Sequence, residues 1–253
     1  MTNAHGRFAW YELMTDEPQA AMSFYAQVAG WTSQDMPMPG MTYTIVLAGQ
    51  TQVGGMMKLP AQCAGVHPFW SAYIAVDDVD TAAARLKHLG GTVCKEPEDI
   101  ANVGRYAVVA DPQGAMFNIF KSLSPSETAH SMAPGRFAWN ELNTNDWAAA
   151  FDFYRDMFGW QKGESIDMGA MGTYQLFTID GTGVGGMFNS PAAHEARFWL
   201  FYIGTDDIDA ALARISAGGG KVLNGPQEVP GGAWIVQAID PQGAHFAMVG
   251  PRK

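Results

Sequence analysis

Charge is scarce in this chain, and positive charge is scarcer. Only 16% of its 253 residues are Asp, Glu, Lys or Arg, and 25 acids against 15 bases leave a net charge of -10. A nucleic-acid surface needs clustered Lys and Arg, so this charge argues against that class of partner. The acidity reads instead as a device for solubility. Cysteine is almost missing: Cys63 and Cys94 are the only two. They read as free thiols of a reducing compartment, not as a disulfide framework. No run reaches the roughly 18 apolar residues that a membrane helix needs. The opening residues, Met1 to Gly6, have neither the basic start nor the apolar stretch of a secretory signal. The expected location is the cytoplasm, with no membrane partner. What remains is 47% apolar, the composition of a compact globular protein.

What is present is repeated. Gly6-Arg7-Phe8-Ala9-Trp10 returns as Gly135-Arg136-Phe137-Ala138-Trp139, and Asp111-Pro112-Gln113-Gly114-Ala115 returns as Asp240-Pro241-Gln242-Gly243-Ala244. Both recurrences lie 129 residues apart, so half of the chain is duplicated with its spacing intact. The expected domains are 1–122 and 135–253. Residues 123–134, rich in Ser, Pro and Ala, form the linker. Neither Cys63 nor Cys94 has a counterpart in the second copy.

Each half divides again. Phe8 to Leu13 reads as an aromatic-rich strand. Thr15-Asp16-Glu17-Pro18 opens a helix with a capping side chain, and Ala21, Phe24, Tyr25 and Val28 form its apolar stripe. Gly30 stops it. Tyr43 to Leu47 and Gln52 to Met56 follow as strands. The next quarter repeats the plan with Ser71 to Val76, a helix capped by Asp77-Asp78, and strands around Arg105 to Val109 and Ala115 to Phe120. In the second half, helices run from Asp146 and from Asp206 to Ala217. The order is strand, helix, then about three strands, four times. One helix covers one face of such a sheet, so the other face is left for a partner or a cavity. The fold class is α+β: four βαβββ modules in paired, curved mixed sheets with helices outside.

This pattern resembles the vicinal oxygen chelate superfamily, which includes glyoxalase I, extradiol dioxygenases and bleomycin-resistance proteins. The segments that carry the likeness are Asp16 to Trp31 with Phe24-Tyr25 and Gly30-Trp31, Val76-Asp77-Asp78 to Gly90-Gly91, and Asp111 to Phe117. Each has its twin in the second half. The likeness is nearest to two-repeat glyoxalase-like proteins. It implies paired βαβββ modules with a cup at each pair, and in family enzymes a divalent metal held by His, Glu or Gln. Here the corresponding positions fall on Trp10 and Trp139, near Gly55-Met56 and Gly186-Met187, on Ser71 and Leu200, and on Asn118 and Ala247. None is His, Asp or Glu, so no metal cofactor is expected in the family's usual place.

Strand alternation points Phe8, Trp10 and Glu12 into one cup face, with Phe137, Trp139 and Glu141 in the other copy. It also turns Tyr73, Tyr202, Met116, Asn118 and Phe120 inward, and His245 with them. The expected site is an apolar, aromatic cavity with a few polar groups. Trp10, Trp139, Tyr73, Tyr202, Met116, Asn118 and Phe120 are its ligand-binding candidates, or the two tryptophans are core plugs. Glu12 and Glu141 either act as acid–base groups with His245 or pair structurally with Arg7, Arg105 or Arg136. If module one faces module four, His245 meets Glu12; if modules pair within each half, it meets Glu141. His67, Trp70, His194 and Trp199 fall near the cup rims. Gly54-Gly55 and Gly185-Gly186 read as bulges. The function expected is metal-independent binding of a small hydrophobic or aromatic molecule. The alternative is a lyase or glyoxalase-type enzyme using Glu12 or Glu141 with His245. The oligomeric state expected is a monomer or weak homodimer.

Overall fold

A computed structural model describes residues 5–38, 40–60, 65–124, 131–190 and 197–253. Cys63, His194 and the middle of the expected linker, 125–130, lie outside them. The first half runs β1 (Phe8–Thr15), α1 (Pro18–Ala29), β2 (Thr32–Met38), β3 (Met41–Ala48), β4 (Thr51–Lys58), β5 (Phe69–Ala75), α2 (Val79–His88), β6 (Thr92–Ile100), β7 (Gly104–Ala110) and β8 (Met116–Ser122). The second half repeats it: β9 (Phe137–Thr144), α3 (Trp147–Phe158), β10 (Gln161–Asp167), β11 (Thr173–Ile179), β12 (Thr182–Asn189), β13 (Phe198–Gly204), α4 (Ile208–Ala217), β14 (Lys221–Glu228), β15 (Trp234–Ile239) and β16 (His245–Gly250). Two open, mixed, eight-stranded sheets result, in the orders β2-β3-β4-β1-β5-β8-β7-β6 and β10-β11-β12-β9-β13-β16-β15-β14.

The chain packs into two compact units that do not follow the sequence halves. One unit, called outer because it holds the first and last modules of the sequence, takes Trp10–Trp70, Ala129–Trp139 and Leu200–Lys253; the other, called inner because it holds the middle two, takes Met1–Ala9, Ser71–Thr128 and Asn140–Trp199. Module one therefore shares a unit with module four, and module two with module three.

The repeated motifs explain why each unit holds together. In the outer unit the Trp70 Nε1 donates to the Tyr25 hydroxyl at 2.9 Å, and Tyr25 donates to Asp240 Oδ2 at 3.1 Å. In the inner unit Trp199, Tyr154 and Asp111 form the same relay at 3.1 and 3.1 Å. Each Asp also accepts backbone N–H groups of its own turn, from Gln113 and Ala115 or from Gln242 and Ala244. Burial nevertheless holds both carboxyls above the usual carboxylate range. Burial, then the adjacent carboxylate, pushes both phenols well above their ordinary value. Around the relays lie aromatic clusters. Phe24, Trp31, Trp70 and Phe246 surround Tyr25, with Phe137 against the two tryptophans; Trp160, Trp199, Phe117 and Phe158 surround Tyr154. Each such side chain contributes about 1.5–3 kcal/mol by leaving water.

Three expectations need correction. Trp70 and Trp199 lie within β5 and β13, not at a rim, and both are buried. Phe8 and Phe137 leave the cup face. Phe8 packs on Trp160 and Trp199, and Phe137 on Trp31, Trp70 and Tyr11, in the clusters that receive the helices. The cap of α1 comes from elsewhere in the sequence: Glu17 makes no side-chain cap bond, and Gln242 Oε1 accepts the Glu17 N–H at 2.9 Å. The other three helices follow expectation, with Asp78, Asp146 and Asp207 accepting the first free N–H groups. The Gly-Arg-Phe repeat also finds its cause. Gly6 and Gly135 adopt φ of +80° and +75° and present their carbonyls to Trp160 Nε1 and Trp31 Nε1 at 2.8 and 2.7 Å.

Candidate functional site

Trp10 and Glu12 lie on one face of β1, as alternation requires. Glu12 pairs with Gly55 of the parallel strand β4. Glycine at 55 leaves room above the sheet, and the Tyr43 ring, reaching over from β3, fills it: a Cβ on Gly55 would lie 2.1 Å from the Tyr43 hydroxyl. That hydroxyl donates to Glu12 Oε1 at 2.9 Å and accepts from Trp10 Nε1 at 2.8 Å. Loss of water around the ring, then the neighbouring carboxylate, pushes the phenol well above its ordinary value. Glu12 is only 2% exposed, while Trp10 is half-buried. The second half of the sequence repeats the device. Gly186 pairs with Glu141, the Tyr174 ring lies where a Gly186 Cβ would point, and Tyr174 donates to Glu141 Oε2 at 3.0 Å. Trp139 is half-buried like Trp10.

The paired glycines are thus not themselves bulges. Gly54 and Gly55 pair regularly with Val46 and Ile45, and the register shift lies just before them, at Val53. Gly54 is required because a Cβ there would meet the Tyr11 carbonyl at 2.6 Å.

On the second module, Tyr73 pairs with Asn118 between the parallel strands β5 and β8. Tyr73 meets Phe120 edge-on at 5.8 Å and Tyr106 at 6.1 Å. Asn118 Nδ2 donates to Ser71 Oγ at 2.9 Å. Met116, on the same face two residues before, is 44% exposed. In the fourth module the Tyr202 hydroxyl accepts from Gln237 Nε2 at 2.8 Å. His245 stands exposed at the start of β16 opposite Ile239, in the same unit as Glu12 and not in that of Glu141.

The arginines weighed as partners of the glutamates bond elsewhere: Arg7 with Asp180, Arg105 with Asp80 and Asp99, Arg136 with Thr51. A groove of about 620 Å³ between α2 and the end of α3 is lined by Asp77, Arg85, Arg155 and Asp156, not by these faces. Its Arg85 donates to the Asp156 carbonyl, which makes it a helix-end device. No group of three or more His, Cys, Asp and Glu side chains placed to hold a metal ion occurs among the described residues.

A family model, the Glyoxalase/Bleomycin resistance protein/Dioxygenase superfamily, matches residues 7–119 and again 136–248. The chain belongs to this superfamily. A putative glyoxylase, CFP32, of Mycobacterium bovis is 31% identical over 245 residues, covering 96% of this chain and 94% of that protein. The anthracycline biosynthesis protein DnrV of Streptomyces peucetius is 30% identical over 267 residues, covering 97% and 94%. Among solved structures, a Mn(II)-bound glyoxalase from Novosphingobium aromaticivorans aligns over 99% of this chain and 83% of that one, with TM-score 0.67 and 14% identity. The homoprotocatechuate 2,3-dioxygenase of Brevibacterium fuscum, in complex with 3,4-dihydroxyphenylacetate, aligns over 98% and 81%, with TM-score 0.69 and 17% identity. At these identities the superfamily structures share the fold alone.

The residues at the positions that the resemblance assigns to metal ligands are poor donors for a hard cation. Indole, glycine, serine and asparagine offer neither imidazole nor carboxylate, and the carboxylates beside them, Glu12 and Glu141, each take a phenol hydrogen bond. The phenol is the feature that sequence reading missed. Its signal was available: in both copies a tyrosine stands twelve residues before the second glycine.

Proposed function

We propose that this protein binds a small hydrophobic or aromatic molecule in a Trp- and Met-lined cup, and does so without a metal. One observation carries the reading. In both copies a tyrosine ring takes the space beside glycine where a ligating side chain would otherwise project, and ties up the neighbouring glutamate. A half-buried indole beside a bound carboxylate suits a planar apolar body held by stacking and contact. In this reading the protein acts as a monomer or weak homodimer, with a small molecule as its partner and neither nucleic acid nor membrane.

Native mass spectrometry and thermal shift with a metabolite panel, with and without EDTA, test it. Retention of bound ligand in EDTA is expected. Binding that vanishes with the chelator and returns with Mn²⁺, Fe²⁺ or Zn²⁺ would overturn it.

The second reading, a lyase or glyoxalase-type enzyme, is favoured by the name of the Mycobacterium bovis relative. Glu12 or Glu141 would then exchange protons with substrate through or beside its tyrosine, with His245 as the other acid–base group. Undiminished turnover in both E12Q and E141Q would remove that reading.

A further inference from the structure

The β5–β8 module holds one polar atom that the fold does not use. Asn118 is only 1% exposed, and its Nδ2 donates to Ser71 Oγ at 2.9 Å and to the Ala72 carbonyl at 3.4 Å. Its Oδ1 is buried without a hydrogen-bond partner. Folding leaves such an acceptor unpaired only at a cost in stability, so a sequence free to change would remove it.

The duplication tests whether this one is free. At the twin positions the second half carries Leu200 and Ala247 in place of Ser71 and Asn118, and the strand pairing is the same: Tyr202 opposite Ala247, as Tyr73 is opposite Asn118. The fold therefore accommodates an apolar pair at this point. The flanking strand differs in compensation. Val108 sits opposite Asn118, whereas Gln237 sits opposite Ala247 and spends its Nε2 on the Tyr202 hydroxyl. Only the first copy presents a carbonyl acceptor with nothing attached. It does so on the face that carries Tyr73, Phe120 and the exposed Met116.

We propose that Asn118, oriented by Ser71, is the polar anchor for a hydroxyl or N–H group on an otherwise apolar aromatic ligand, and that the β5–β8 module alone carries it. The inference rests on the cup reading above and adds the ligand's chemistry: one donor on a flat apolar body. Ser71 and the Ala72 carbonyl hold the amide through Nδ2, which leaves Oδ1 for the ligand. Tyr73 and Phe120 offer ring surface, and Met116 supplies an adjustable rim.

The test uses the full chain and two probes of one shape, 2-naphthol and 2-methylnaphthalene, with affinities read by ligand-observed NMR. Wild type is expected to prefer 2-naphthol by about tenfold, the ratio that one net hydrogen bond of ordinary strength supplies. In N118A the preference falls to within about twofold. S71L/N118A, which copies the Leu200 and Ala247 pair, gives the same collapse in a packing that the protein already contains; circular dichroism reports that both variants fold. Equal affinity of the wild type for both probes, as a water held permanently on Oδ1 would give, overturns the anchor and leaves the cup standing. So does a preference that survives in N118A. If neither probe binds wild type, the cup reading falls and this inference falls with it.

Discussion

The Tyr154 hydroxyl donates to Asp111 Oδ2 across 3.1 Å, tying a helix of the second half of the sequence to a turn of the first. Tyr25 and Asp240 stand in the same relation, also at 3.1 Å. Asp-Pro-Gln-Gly is therefore more than a turn. Its Asp holds a helix tyrosine, and its Gln closes that helix's first turn.

Removing either hydroxyl takes the phenol bond from an Asp Oδ2 and the acceptor from an indole N–H in the core. Y154F and Y25F are each expected to lower stability by about 2–4 kcal/mol, because two buried hydrogen bonds are lost and one of them ends on a charged acceptor. Urea denaturation checks this. A loss below about 1 kcal/mol would mean that the relays are incidental.

The same phenols set the alkaline behaviour. Both have folded values well above 10, whereas in the unfolded chain they ionise near 10. Above that pH the folded state keeps protons that the unfolded state releases, so stability falls as pH rises past about 10. Absorbance titration at 295 nm is expected to show Tyr25 and Tyr154 ionising only as the protein unfolds. Y25F and Y154F should flatten the alkaline loss.

G55A sets a methyl group against the Tyr43 hydroxyl. A cost of about 1–3 kcal/mol is expected. It should largely disappear in Y43A/G55A, where the space is empty. Denaturation of both single variants and the double variant gives the coupling; additive costs would show that the ring does not need the glycine.

Q242A removes three bonds at the start of α1: those from Thr15 Oγ1 and the Glu17 N–H, and the one to the Glu17 carbonyl. Since Glu17 does not cap its own helix, a loss of about 1–2 kcal/mol is expected. Hydrogen exchange should show it first at Gln19 to Ser23. Exchange there that stays at wild-type rates would contradict the cap.

Much of the architecture was legible in the sequence, and the failures have physical causes. Helices were readable because Val79, Ala82, Ala83 and Leu86, for example, keep a helical period, and all four are buried. The strands β2, β6, β10 and β14 were not readable. They are the outermost strands of their sheets, exposed for most of their length, so no alternation marks them. Pro37, Pro97 and Pro226 stand in three of them, as edge strands allow and central strands do not. The faces of Trp10 and Glu12 followed from the pleat; the tyrosine over Gly55 did not. It comes from a neighbouring strand, and the 129-residue register slips by two between Tyr43 and Tyr174. Phe8 defeated alternation because it sits at a strand's first residue, where aromatic neighbours set its direction instead.

The reciprocal grouping of modules bears on what could survive dissection. A fragment ending before residue 125 would retain Tyr25 but not Asp240, and Asp111 but not Tyr154. It would also lose Gln242 from the start of α1. Such a piece could recover these bonds only from a sister molecule, each supplying the other's missing acceptor. Cutting this polypeptide in two should therefore yield not a smaller monomer but an obligate homodimer, or an unfolded chain.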